Sequence, residues 1–264
     1  MDTKTFGIVA AKDNRKAQEL LIQVSKYLKS KKQNVVTSDF KNCEVIITLG
    51  GDGTLLHVSC KYAHLGVPFL GINVGTLGFL TAEEVDNWQK AIDKLTSGRY
   101  VVSQRMTIEA TVGDRMLRAV NEVVIRGLYR VVDLGITVSE EKFLEVIGDG
   151  VIVATQTGST GYSLSAGGPI VDPDLNCLQV TPINPIGLPI PSVVLSPDDV
   201  VAVRVKKGEE IMLIADGQEH TRLEFGDVVT ISRGEYMVKY AYFDRHQFIK
   251  SLNAKFGFSG RLAK

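Results

Sequence analysis

The chain has 264 residues, 44% of them hydrophobic, enough for one large domain or two modest ones that each bury a core. Lysine plus arginine equals aspartate plus glutamate at 30 each, so no global field recruits nucleic acid or an anionic membrane, and any anion must be bound locally. Cys43, Cys60 and Cys177 lack CxxC spacing, the apolar stretch Phe6 to Ala11 is too short for a signal segment, and no apolar run reaches bilayer length; the expectation is a protein of a reducing cytoplasm without disulfides or a zinc knuckle.

In chain order, Thr5 to Ala10 reads as a strand, and Ala17, Leu20, Leu21, Val24, Tyr27 and Leu28 mark one face of a helix. The apolar run Val45 to Leu49 predicts a buried parallel strand. After the turn that follows it, Leu55, Leu56, Ser59 and Tyr62 recur at helical spacing. Val67 to Ile72 gives another short strand, and Thr81 with Glu84 reads as a capping box for a helix carrying Trp88, Ile92 and Leu95. This βαβ pattern predicts an α/β domain over residues 1–99, a Rossmann-like open sheet whose loops after the strands, Gly50 to Thr54 and Asn73 to Gly78, share one ligand-binding rim.

After Gly98 the pattern turns to short β-rich runs: Val101–Val102, Ala119 to Arg126, Val131 to Val138, Val200 to Val205, Ile211 to Ala215, Val228 to Ile231 and Met237 to Phe243, with Asp216-Gly217 as a hairpin signal. A β-rich domain over 100–244 is expected. The tail, 245–264, regains helical character at Phe248, Ile249 and Leu252, and is expected to return to the first domain.

Two glycine-rich segments carry the chemistry. In LGGDGT, Leu49 to Thr54, the glycines sit at a strand-to-helix junction, where the backbone permits close approach and the first helical amides face an anion. Asp52 stands inside that junction. A carboxylate beside a phosphate is tolerated where a metal bridges the two or where the acid meets a hydroxyl attacking the phosphate, and both cases belong to phosphoryl transfer. An ordinary tight turn with Asp52 as helix N-cap is the plainer alternative. The second segment, Gly148 to Ile170, with Thr155, Thr157, Ser159, Thr160, Ser163 and Ser165 among Gly158, Gly161, Gly167 and Gly168, reads as too polar for a packed strand and suits a bound nucleotide or a long surface loop.

GGDGT, then Asn121-Glu122, then GDGVIVATQTGSTGYSLSAGGPIVDP resembles the NAD kinase family in order and spacing, with GINVGTLGFLTAEE at Gly71 to Glu84 and KFGF at Lys255 to Phe258 also similar to family signatures. The resemblance implies transfer of the ATP γ-phosphate, or that of polyphosphate, to the 2′-hydroxyl of the adenosine ribose of NAD, with Mg²⁺ or another divalent cation offsetting charge. It makes Asp52 the catalytic carboxylate, a weak base that orients the hydroxyl, with contact to the metal as its other implied role, and gives Gly50, Gly51 and Thr54 to ATP. It gives Gly53, His57, Phe79, Asn121, Glu122, Asp149, Thr157, Thr160, Gly161, Tyr162, Ser163, Leu164, Ser165 and Gln218 to NAD. Asn121 both donates and accepts, as an adenine edge requires, and Glu122 accepts from ribose hydroxyls. Asp149 is implied at the nicotinamide end, Phe79 at adenine, His57 near the phosphates, and Tyr162 as a stacking ring or a packing residue. A homodimer or homotetramer is implied too.

Three departures stand out. Gln156 and Gly161 replace a proline and an alanine common in the family, Ile147 and Gly148 stand where a basic residue often precedes GDG, and Asn184 to Pro191 carries no assigned role. A lipid or sugar kinase sharing GGDGT and a non-catalytic dinucleotide sensor are the competing classes.

Overall fold

A computed structural model describes residues 3–75, 78–187 and 189–257. Thr76 and Leu77 of the Gly71 to Glu84 segment, Leu188, and the tail from Phe258 onward lie outside the described residues. The chain divides into two compact units: one holds the residues up to Gln104 plus those from Val238 onward, the other is Arg105–Met237.

The first unit is built on β1 (Thr5–Ala10), β2 (Asn34–Val36), β3 (Val45–Gly50), β4 (Pro68–Asn73), the two-residue β5 (Glu83–Glu84), β6 (Val101–Arg105) and, from far along the chain, β19 (Val238–Tyr242). They form one sheet in the order β2-β1-β3-β4-β19-β6, with β5 alongside β4. Every residue of β3 is buried, as expected for a strand of a parallel sheet covered on both faces. Helix α1 (Arg15–Ser30) lays Ala17, Leu20, Val24 and Leu28 inward, and its N-cap Asn14 accepts from the Ala17 amide at 3.1 Å. Helix α2 (Asp52–Lys61) follows β3 directly. Because β1, β3 and β4 are parallel, with Gly50 beside Asn73, the loops leaving β3 and β4 emerge at the same edge of the sheet.

Two expectations fail here. Helix α3 (Trp88–Thr96) is capped at Asn87, so Thr81 and Glu84 form no capping box. Thr81 instead donates its amide to Asp52, and Glu84 accepts from the Asn73 side chain at 3.2 Å. The strand expected at 237–243 in the β-rich domain is β19, which pairs in parallel with β4 of the first sheet.

The second unit is a sandwich of two six-stranded sheets. Its strands are β7 (Ile108–Val112), β8 (Arg115–Ala119), β9 (Glu122–Gly127), β10 (Val132–Val138), β11 (Glu141–Gly148), β12 (Gly150–Thr155), β13 (Leu178–Ile183), β14 (Val193–Leu195), β15 (Val201–Lys207), β16 (Ile211–Ala215), β17 (Glu219–Leu223) and β18 (Val228–Arg233). One sheet runs β11-β10-β15-β18-β7-β8 and the other β14-β13-β12-β9-β16-β17. Alternate residues of both, among them Ile108, Val123, Leu134, Val151, Val180, Val203, Leu213 and Ile231, form one buried core. The polar reading of the Gly148 segment is corrected at its start: β12 is buried throughout and central, between β9 and β13. Its VIVA run behaves as a core strand, and only the residues after Thr155 form a loop. The single strand expected from Ala119 to Arg126 is two, β8 and β9, interrupted at Val120-Asn121.

Candidate functional site

In the first unit, α2 begins at Asp52 with Gly51 as its N-cap and no side-chain cap, so Asp52 is not the cap residue. An uncapped helix start directs its first amides outward, which suits an anion. A methyl group at Gly50 would lie 2.5 Å from Thr54 Oγ1, so glycine is what lets Thr54 fold over the loop.

The Asp52 carboxylate faces the segment after β4. Its Oδ2 accepts from the Phe79 amide at 2.6 Å, and its Oδ1 from the amides of Leu80 at 3.1 Å and Thr81 at 3.2 Å. Gly78 makes this possible: a Cβ there would sit 2.0 Å from Oδ1. A carboxylate has about four acceptor positions, so these three donors leave roughly one, on Oδ2, for an incoming hydroxyl. Asp52 is therefore a fixed acceptor whose direction is set by main chain. Phe79 itself is half-buried, its ring 5.9 Å from that of Phe256 and 4.0 Å below Lys255 Nζ, both on helix α5 (Gln247–Phe256). His57 is exposed on α2, one turn beyond Gly53.

The second unit gathers Asn121, Glu122, Thr157 and Gly161. The loop after β12 turns through a short 3₁₀ segment, Gly158–Thr160, into the single-turn α4 (Tyr162–Ser165). It packs against the start of β9 so closely that a Cβ at Gly158 would lie 2.2 Å from the Asn121 carbonyl oxygen. At Gly161 a Cβ would lie 3.1 Å from Glu122 Oε2 and 3.6 Å from Asn121 Nδ2. Glycine at position 161 thus gives room to the Glu122 carboxyl.

Among the described residues, six buried side-chain polar atoms have no hydrogen-bond partner, and four of them belong here: Asn121 Oδ1, Glu122 Oε2, Gln156 Oε1 and Thr157 Oγ1. Buried polar atoms are costly to leave unpaired, and their concentration at one loop marks a place for a polar ligand. Burial, and secondarily the nearby Asp216, pushes the Glu122 carboxyl up to about 8, so at neutral pH it carries a proton and offers a donor as well as an acceptor.

The remaining predicted residues separate. Tyr162 packs on the outer face of the β9-β12-β13 sheet, over the cluster of Val124, Ile152, Ala154 and Ile183. The Ser163 hydroxyl is buried against β13, donating to Gln179 Oε1 at 2.9 Å and 3.1 Å from Thr181 Oγ1, whereas Ser165 is exposed and Leu164 half-buried. Thr160 sits half-buried with its hydroxyl 3.5 Å from the Thr157 carbonyl. Asp149 accepts from Asn184 Nδ2 at 2.8 Å at the opposite end of β12, about 17 Å from Glu122 at the rise of a strand. Gln218 is exposed on the β16–β17 turn.

Sequence reading missed the residues that hold the site by its main chain. Thr155 and Asp216 grip Val120 to Glu122, and Gly78 clears the Asp52 carboxylate. Asp216 was visible only as a hairpin signal. As for a metal, no cluster of three His, Cys, Asp or Glu side chains is present among the described residues, and both Asp52 oxygens are engaged. The donor set does not fit a resident divalent ion; Mg²⁺ characteristically binds through a nucleotide's phosphates with few protein ligands.

Comparison with known proteins gives the family. Residues 8–100 match the family described as the ATP-NAD kinase N-terminal domain, and residues 120–242 match the ATP-NAD kinase C-terminal domain. The chain is 36% identical over 255 residues to the NAD kinase of Caldicellulosiruptor saccharolyticus, covering 94% of this chain and 98% of that one. Among solved structures, an NAD kinase from Archaeoglobus fulgidus in complex with ATP is 27% identical with a TM-score of 0.78, covering 93% of this chain and 96% of that chain. Yeast NADH kinase complexed with NADH shares the fold at a TM-score of 0.87 and 22% identity, over 99% of this chain and 90% of that chain. The chain belongs to the ATP-NAD kinase family.

Proposed function

We infer that the chain is an ATP-dependent kinase that phosphorylates NAD to NADP. The observation that carries the reading is the group of unpaired buried atoms at Asn121, Glu122 and Thr157, in a chain whose family uses a dinucleotide. The acceptor is the 2′-hydroxyl of the adenosine ribose. Asp52 takes a hydrogen bond from that hydroxyl on its remaining acceptor position and fixes the oxygen for in-line attack. Phosphoryl-transfer transition states are loose, so holding the nucleophile matters more than removing its proton early.

Gly50, Gly51 and Thr54 with the first turn of α2 receive the triphosphate, whose charge a divalent cation carried by the nucleotide would offset. Asn121 reads the adenine edge and the neutral Glu122 bonds a ribose oxygen. Gly53, His57, Phe79, Thr157, Thr160, Gly161, Tyr162, Leu164, Ser165 and Gln218 belong to the dinucleotide's surroundings. Asp149, with Asn184, lies toward the nicotinamide end, and Ser163 orients its loop from behind. The enzyme acts in the cytoplasm as a homodimer or homotetramer; no described helix is long and apolar enough to cross a membrane.

The test is to incubate the protein with Mg²⁺, ATP and either NAD, diacylglycerol or fructose 6-phosphate, and to read NADP with an NADP-specific dehydrogenase. NADP formation is expected with NAD alone. Binding of NAD without turnover would instead mark a sensor. In Asp52→Asn the carboxamide presents an NH₂ group to main-chain donors and loses the charge, and turnover is expected to fall about 100-fold or more. Unchanged turnover rules out a catalytic carboxylate at this position.

A further inference from the structure

Asp216 opens the three-residue turn, Asp216 to Gln218, between β16 and β17, with φ at +49°, followed by Gly217 at +68°. A turn of this kind needs only residues tolerant of positive φ, and asparagine serves it as well as aspartate. The carboxylate does something more. Its Oδ2 accepts from the Val120 amide at 2.8 Å, and its Oδ1 from the amides of Asn121 at 2.8 Å and Glu122 at 3.2 Å. The Asp216 amide in turn donates to the Glu122 carbonyl at 3.0 Å.

The other side of the same three residues is gripped by Thr155. Its hydroxyl donates to the Val120 carbonyl at 2.6 Å and its amide to the Asn121 carbonyl at 2.8 Å. That hydroxyl also accepts from the amides of Thr157 at 3.0 Å and Gly158 at 3.3 Å, tying the loop to the strand. All six main-chain groups of Val120, Asn121 and Glu122 are thereby paired. The side-chain atoms Asn121 Oδ1 and Glu122 Oε2 are buried and unpaired. The backbone is saturated and only the side chains remain to meet a ligand.

We propose that Asp216 is a positioning residue for dinucleotide recognition, one that aims the Asn121 and Glu122 side chains by holding their backbone from the β16–β17 turn, with Thr155 as the opposing grip. This rests on the reading of the chain as an NAD kinase. It accounts for a half-buried carboxylate in a turn that neutral residues would satisfy as well. Burial pushes the Asp216 carboxyl up, and the three amides oppose that by stabilising its charged form.

The experiment uses the full chain with Mg²⁺ and ATP, measuring initial rates against NAD and against ATP. In Asp216→Asn, KM for NAD is expected to rise about tenfold, the equivalent of one charge-assisted hydrogen bond, while KM for ATP stays within about twofold and kcat falls less than KM rises. Thr155→Val, nearly isosteric, is expected to raise KM for NAD in the same way and serves if Asp216 variants do not fold. Combining Asp216→Asn with Asn121→Ala should cost less than the sum of the two single changes, because part of the Asp216 effect runs through the Asn121 side chain and part through Glu122. Unaltered KM for NAD in a folded variant overturns the proposal, as does an equal rise in both KM values or simple additivity in the double variant. Absence of NADP formation by the wild-type chain overturns the parent reading instead.

Discussion

Glu122 holds a proton that a solvated glutamate would have lost, because burial and the neighbouring Asp216 place its carboxyl at about 8 against an ordinary 4.5. Between those two values the folded chain binds one proton more than the unfolded chain, so stability is full below pH 4.5 and is lost as pH rises toward 8, by up to about 1.4 kcal/mol per unit. Thermal unfolding followed from pH 5 to pH 8 should therefore show a falling Tm, and Glu122→Gln should flatten that fall. The raised Asp216 carboxyl acts in the same direction, so some slope will remain. A second test concerns Gly78, where Ala brings a methyl to 2.0 Å from Asp52 Oδ1 and must push the carboxylate or the loop aside. Turnover of Gly78→Ala should drop by about two orders of magnitude, with the β-rich unit's stability unaffected. Asp52, Asn121 and Glu122, the side chains proposed to meet a ligand, could be picked out in the sequence because they stand in motifs whose residue types suggest their chemistry. Gly78, Thr155 and Asp216 could not. They act through main-chain groups that every residue carries, and such bonds leave no pattern along a chain.

Among elements, the C-terminal helix reaches Asp52 by a short physical route. Lys255 and Phe256 of α5 cover the Phe79 ring, and the Phe79 amide makes the closest bond to the carboxylate. A cation over an aromatic face contributes about 0.5–1 kcal/mol at an exposed site. Lys255→Ala should thus lower kcat about two- to fivefold, and Lys255→Arg should restore it, as steady-state rates with saturating NAD would reveal. The elements recovered from sequence are those with a clear period or an unbroken apolar run: β1, α1, β3, α2, β4, and the core strands β10, β15, β16 and β18. Strand β12 was hidden because glycines and threonines flank its VIVA centre, although six buried residues make it one of the most enclosed strands. The capping box at Thr81 failed for a related reason. A local signature was present, but Asp52 and Asn73 competed for the same groups across the sheet and won.

For the molecule as a whole, the balance of 30 basic and 30 acidic residues leaves substrate capture to local groups rather than long-range steering. Raising the ionic strength should accordingly alter the rate of NAD association little, which stopped-flow mixing at low and physiological salt would check. The division into an α/β and a β-rich unit was readable from the change of period near residue 100, but the owner of the strand at 238–242 was not, since a lone apolar run fits either sheet.

That strand, β19, is inserted between β4 and β6, so the first sheet is completed by residues made more than 130 positions after Gln104. A nascent chain leaving the ribosome therefore has a whole β-sandwich available to fold before its opening half can close. Until then β6 and the Pro68–Phe69 end of β4 lack their β19 partner and present bare edges, the kind of surface that templates association with other chains. A gene cut after Met237 should yield protein that is aggregation-prone, and supplying the missing C-terminal peptide in trans should rescue solubility, a form of fragment complementation dictated by strand order alone.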